Sequence, residues 1–144
     1  MNKSSLVLGI DLGTSGVRLA VLNEQQELIH TSTTNYPTGL EVPEDWQTCC
    51  TELIRALPTK LRQALKAIAV DGTSGTLLAC ERSGKALSAA LPYHLNCPEQ
   101  QEALLSLVSS EKPAASISSS LARALRLIAN HGNNVLLRHQ ADWI

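Results

Sequence analysis

Two short segments concentrate the residues able to do chemistry: Asp11-Leu12-Gly13-Thr14-Ser15-Gly16 and Asp71-Gly72-Thr73-Ser74-Gly75-Thr76. Each follows an apolar run, residues 6–10 in the first case and 68–70 in the second, and each joins a carboxylate to small, hydroxylated, flexible residues. Such a turn suits the handling of phosphate and Mg2+. Glycines let backbone N–H groups approach and cradle phosphate oxygens, and Thr or Ser hydroxyls add donors. A carboxylate at the end of a strand can hold a hydrated Mg2+, which keeps several waters and takes few protein ligands. Neither segment is a Walker A loop, because G-x-x-x-x-G-K-[ST] is absent, and neither is G-x-G-x-x-G. The plainer alternative is a pair of ordinary glycine-rich hairpin turns.

These turns need strands to position them. Residues 6–10 are a continuous apolar run ending at Asp11, the pattern of a strand covered on both faces. Residues 13–16 are turn chemistry, residues 17–22 read as a second strand, and residues 27–34 as a third. The spacing therefore predicts a three-stranded antiparallel meander whose first connection is the glycine-rich turn. Trp46, Cys49, Cys50, Leu53, Ile54 and Leu57 recur at helical steps and predict an amphipathic helix. Pro58 ends or kinks it, and a second helical piece follows through Ala67. Residues 68–71 are a short strand, and residues 77–80 and 86–91 predict a hairpin. Pro98 opens a helix reaching about Ser109. Residues 118–120 cap a further helix with Leu121, Ala124, Leu125 and Ile128 on its apolar face, closed by His131-Gly132. The apolar tail Ala141-Asp142-Trp143-Ile144, with no cap or stop signal, reads as a chain cut inside an element.

Composition narrows the class. The chain has 144 residues, 44% apolar, with 12 Lys+Arg against 13 Asp+Glu and a net charge of -1. No clustered basic excess marks a nucleic-acid partner. No apolar run is long enough for a transmembrane helix, and the first residues, meeting Asp11 at once, do not read as a signal peptide. A cytoplasmic protein is the expectation. With two Trp, two Tyr and no Phe, its core must be aliphatic. The four cysteines and four histidines show no metal-ligand spacing and read as reduced thiols and scattered imidazoles.

The segment Gly9-Ile10-Asp11-Leu12-Gly13-Thr14-Ser15-Gly16-Val17-Arg18 resembles the first phosphate motif of the superfamily that joins actin, the heat-shock chaperones and the sugar kinases. Its form D-x-G-T-S-x-x-R is similar to that of the FGGY family of carbohydrate kinases, and the order of elements over the whole chain agrees with that branch. Residues 69–76 look closest to the cyanobacterial and plastid-type branch, called xylulose kinase-like and associated with D-ribulose phosphorylation. The resemblance implies an α/β fold: an incomplete ribonuclease-H-like (actin-like ATPase) domain, with a meander followed by helix, strand, hairpin and helices. Residues 1–144 would be the N-terminal part of the first domain, without the second, nucleotide-binding domain.

By the same resemblance the activity is ATP-dependent phosphorylation of a sugar hydroxyl, most naturally on a ketopentose such as ribulose or xylulose, with ATP and Mg2+ as cofactors. Asp11 would position Mg2+ or its water. The Gly13–Ser15 backbone, with the Thr14 hydroxyl, would approach the transferred phosphate. Arg18 would buttress the loop or pair with a carboxylate. Asp71 would accept hydrogen bonds from sugar hydroxyls, with Thr73 and Ser74 beside it. The partner is a small-molecule sugar, with neither nucleic acid nor membrane, and a homodimer of the full-length protein stays open. Two departures qualify the picture. Where many members carry W-x-D-x-R, this chain reads Tyr93-His94-Leu95-Asn96-Cys97, so that loop's sugar contacts do not carry over. The family's general base, an aspartate, lies in a later segment and is expected beyond Ile144. No catalytic residue is therefore assigned within residues 1–144, which are expected to be inactive alone. The alternatives are a non-catalytic sugar- or phosphate-binding module and an ATPase of the actin or heat-shock-chaperone type.

Overall fold

A computed structural model describes residues 5–144; the reading of the first residues as no leader falls partly on the four outside it. The chain divides into two compact units, one reaching Gly72 and the other formed by Thr73–Trp143.

In the first unit the predicted meander forms from β1 (Leu6–Leu12), β2 (Gly16–Leu22) and β3 (Leu28–Asn35). Helix α1 (Pro43–Ala56) follows, then the short α2 (Thr59–Ala64) and β4 (Leu65–Gly72). The sheet order is β3-β2-β1-β4, with the meander antiparallel and β4 parallel to β1. Alternation does the sorting. Leu6, Leu8, Ile10 and Leu12 of β1 are buried, as are Val17, Leu19 and Val21 of β2. Trp46, Cys49, Cys50 and Leu53 line the buried stripe of α1, which packs on β2 and β3. Val7, Gly9 and Asp11, at the intervening positions of β1, are not buried. The sequence expectation of a first strand covered on both faces is thus corrected: one face is covered and the other is open. Pro58 separates α1 from α2, as its missing N–H requires.

The second unit contains β5 (Leu77–Cys80), a 3-10 turn at Pro98–Gln100 leading into α3 (Gln101–Leu107), and α4 (Ser120–His131). It closes with β6 (Leu136–His139) and a helical turn, α5 (Gln140–Trp143). Leu77, Ala79 and Leu127 form one core cluster, and Cys97, Leu104 and Ala122 form another. The expected hairpin is corrected here. The strand partner of β5 is β6, in antiparallel register from Leu77↔His139 to Cys80↔Leu136. Residues 86–91 touch β5 only through the isolated bridges Leu77↔Leu91 and Cys80↔Ala86. Those two bridges differ by two residues in register, and a segment of Ala, Ser and Leu offers little of the β-branched packing that would hold one ladder.

Trp143 ends α5, where its indole N–H donates to the Gly84 carbonyl at 2.7 Å. Ile144 follows α5 without helical or strand structure and is exposed. The indole has a polar handle that a backbone carbonyl can hold, and the Ile144 side chain has none. Among the described residues no helix is long and apolar enough to cross a membrane.

Candidate functional site

Cross-strand register places the first motif. On the open face of the first unit two rows run across the sheet. Thr31, Ala20, Gly9 and Ala69 occupy successive strands in one, and Thr33, Arg18, Asp11 and Asp71 in the other. The first row carries little side-chain bulk; the second carries a cation and two carboxylates. Together they line an open hollow of about 730 Å3. Asp11 and Asp71 end neighbouring parallel strands, so their carboxylates leave the same edge of the sheet roughly one strand spacing, about 4.8 Å, apart at the backbone.

Arg18 lies directly opposite Asp11 in the ladder. Its guanidinium donates to Asp11 Oδ2 through Nε at 2.8 Å, and Nη2 lies 2.6 Å from the same oxygen as an ion pair. Both side chains remain open to water, at 65% for Arg18 and 49% for Asp11. The guanidinium also lies over the turn: a Cβ on Gly13 would sit 3.2 Å from Arg18 Nη2.

The turn between β1 and β2 is held from behind. The Gly13 N–H donates to the Gly16 carbonyl at 2.9 Å, the Tyr36 hydroxyl to the Gly13 carbonyl at 3.1 Å, and the Tyr36 N–H to the Ser15 carbonyl at 2.9 Å. Gly16 is required by close approach, since a Cβ there would meet the Thr34 carbonyl oxygen at 2.1 Å. With those carbonyls engaged, the N–H groups of Thr14 and Ser15 have no protein acceptor among the described residues, and both residues are exposed. Unpaired N–H groups at a fixed turn, beside an arginine, are an arrangement that accepts an anion.

The second motif divides between the units. Asp71 and Gly72 belong to the first, with the Gly72 N–H donating to Asp71 Oδ1 at 2.9 Å, while Thr73 and Ser74 open the second. Thr73 is tied inward: its N–H and its hydroxyl both contact Gln140 Oε1, at 2.9 and 2.7 Å, and its hydroxyl lies 2.7 Å from that of Thr76. Thr76 and Gln140 are fully buried, and the Tyr93 N–H donates to the Thr76 hydroxyl. Gly75 has φ of +87°, which needs a glycine. Ser74 is exposed.

Sequence reasoning missed Arg123. It is 2% exposed and has no acidic partner among the described residues; it donates to the carbonyls of Gly75 (2.8 Å), Leu95 (3.0 Å) and Ser118 (2.9 Å). Burial lowers its pKa, with the coulombic effect of Cys97 opposing. Its signal in the sequence was slight. Arg123 stands next to Ala122 and Ala124, both facing core clusters, so an arginine there needs internal partners.

Among the described residues no group of three or more His, Cys, Asp or Glu could hold a metal ion by itself. The donors at the first turn are nonetheless suited to Mg2+. Asp11 offers a carboxylate, Asp71 stands in register with it, and Thr14 and Ser15 add hydroxyls; Mg2+ takes hard oxygen ligands, one or two carboxylates with phosphate and water completing the set.

No family model matches this chain. Solved structures do. Xylulose kinase from Rhodospirillum rubrum is similar at a TM-score of 0.75 and 16% identity, over 96% of this chain and 33% of its own. Plasmodium falciparum glycerol kinase, crystallised with ADP, is similar at 0.73 and 14%, over 97% and 33%. Xylulose kinase from Bifidobacterium adolescentis is similar at 0.72 and 16%, over 97% and 33%. The fold is one that carbohydrate kinases share. At such identities the likeness concerns fold alone, and this chain spans about a third of the length of each of these kinases.

Proposed function

We propose that these residues are the first-domain portion of an FGGY-type carbohydrate kinase that transfers the γ-phosphoryl group of ATP to a hydroxyl of a small sugar. A ketopentose such as ribulose or xylulose is the proposed acceptor, in keeping with residues 69–76 and with xylulose kinases among the similar folds. The observation that carries the proposal is the turn between β1 and β2, with Asp11 at the strand end and the N–H groups of Thr14 and Ser15 without protein acceptors.

In this reading the turn N–H groups and the Thr14 hydroxyl donate to phosphate oxygens, and Asp11 holds Mg2+ through its water or directly. Bound there, the ion would neutralise charge on the phosphates. Phosphoryl transfer rests mainly on positioning and charge neutralisation, so a braced turn matters more than a reactive side chain. Asp71 would accept hydrogen bonds from sugar hydroxyls, with Ser74 adding a hydroxyl. Thr73, engaged with Gln140 and Thr76, would act chiefly by holding its turn. The general base is proposed to come from beyond Ile144, so residues 1–144 alone would not turn over.

The test measures ADP release by the full-length gene product with ribulose, xylulose, glycerol and gluconate in parallel. The expected result is sugar-dependent ADP formation, strongest with a ketopentose and reduced by about 100-fold or more in Asp11→Ala, the order seen when a charge-stabilising group is removed. Residues 1–144 should give none. ATP hydrolysis stimulated by unfolded peptide and by no sugar would overturn the kinase reading.

A further inference from the structure

The kinase reading gives Asp11 a Mg2+ to hold and sets Arg18 beside the phosphate turn, and in this structure each is the other's partner. The guanidinium donates one N–H, from Nε, to Oδ2 and holds Nη2 in ion-pair contact with the same oxygen. It does so while lying over Gly13, at the base of the turn whose Thr14 and Ser15 N–H groups have no protein acceptor. A guanidinium so placed can turn from the carboxylate to an anion on the turn without rebuilding the backbone. The pair is exposed, so the exchange is inexpensive.

We infer that the Asp11–Arg18 pair is an exchange latch coupling the two ligands of this site. In this structure Asp11 holds Arg18 through Oδ2. A divalent cation on Asp11 displaces the guanidinium, which then serves the phosphate. An anion on Arg18 likewise releases the carboxylate for the cation. Whichever ligand arrives first opens the pair, and the second finds its group already free. The coupling is reciprocal, because linkage requires each ligand to raise the other's affinity by the same factor. This inference rests on the proposed phosphate site and adds to it the order in which that site's charges become available.

The geometry separates the latch from simple charge attraction. Asp71 is the register neighbour of Asp11 on the other side and carries the same charge, but Arg18 is not bonded to it. Removing either carboxylate makes the site less negative; only removing Asp11 frees Arg18.

The experiment follows the Nε–H resonance of Arg18 by NMR in the 144-residue chain, assigned by its loss in Arg18→Lys, with Mg2+ and inorganic pyrophosphate as probes. Mg2+ alone should move this resonance from its ion-paired position toward the one it takes in Asp11→Asn. Without metal, Asp11→Asn should bind pyrophosphate about threefold more tightly than the native chain, the scale on which an exposed ion pair is worth. Asp71→Asn should show a smaller gain, and Asp11→Asn combined with Arg18→Gln should lose it. Equal gains in Asp11→Asn and Asp71→Asn, or an Arg18 resonance that stays fixed while Mg2+ shifts the Asp11 and Gly13 amides, would overturn the latch alone. If neither probe moves the amides of residues 13–15 in any variant, the phosphate-site reading falls and the latch with it.

Discussion

Arg123 is the residue on which the second glycine turn depends. A guanidinium brings five donors in a fixed fork, and here it reaches three carbonyls from three separate stretches of chain, at Gly75, Leu95 and Ser118. No carboxylate is needed, because the carbonyl oxygens supply the partial negative charge that desolvation of the cation demands. Replacing it with methionine keeps much of the volume and leaves three carbonyls short of a donor. Arg123→Met should destabilise the chain by about 2 kcal/mol or more, given about 1–3 kcal/mol for a buried polar group left unpaired. Arg123→Lys, with one ammonium in place of the fork, should recover only part of that. Urea denaturation followed by circular dichroism measures both; an Arg123→Met chain as stable as the native one would show that the carbonyls find other donors. The Asp11–Arg18 contact is of another kind. It is exposed, and its interest lies in which ligands can separate it.

At the scale of elements, local signals carried and long-range ones did not. Helix α4 starts and stops where its sequence says. Ser119 accepts from the Ala122 N–H at 3.1 Å, and Gly132 closes the helix with φ of +81°. Capping involves residues within one turn, so a single sequence contains all of it. The meander was equally legible, since a tight turn fixes the register of the strands it joins; that Asp11 is the carboxylate opposite Arg18 came only with the observed register. The pairing of β5 with β6 was not. Leu77 meets His139 across more than half of the second unit, and four residues reading Leu-Leu-Arg-His give no period to distinguish a strand. Arg123 escaped for a related reason: its carbonyl partners come mostly from distant positions that no helical wheel contains. The clamp between α3's entry and α4 was also invisible, with Arg126 Nη2 donating to Glu99 Oε2 at 2.7 Å. That hydrogen bond from Arg126 is the main reason the Glu99 carboxyl falls from 4.5 to about 2. A carboxyl whose folded pKa is lowered stabilises the fold above its unfolded value and loses that contribution as pH falls through the folded one. The stability difference between the native chain and Glu99→Gln should therefore be present at pH 6, shrink below about pH 4.5 and vanish only below about pH 2. Thermal unfolding of both proteins across that range reads it, and a difference as large at pH 2 as at pH 6 would remove the ion pair as its cause.

On the scale of the whole molecule, the four cysteines are distributed so that each unit carries its own reporters. Cys49 and Cys50 lie on α1 of the first unit, Cys80 and Cys97 in the second, and all four are free and buried. Burial is the leading cause of the raised thiol pKa at Cys49, Cys50 and Cys97; Cys50, next to Cys49, is pushed up to about 11. Since the thiolate is the nucleophile, these groups are disfavoured twice, by access and by protonation. Alkylation by iodoacetamide at pH 8 should therefore proceed only through opening of the surrounding core, with all four sites slow in the native chain and fast in urea. The Arg123→Met substitution then gives the pattern its meaning. Its lost bonds brace the second unit, so Cys80 and Cys97 should label about tenfold faster or more, the factor expected when opening there becomes easier by about 1.4 kcal/mol, while Cys49 and Cys50 change less. Site-resolved mass spectrometry of the labelled peptides separates the two outcomes: acceleration confined to Cys80 and Cys97 means that each unit opens on its own core, and equal acceleration at all four means that the chain opens as one.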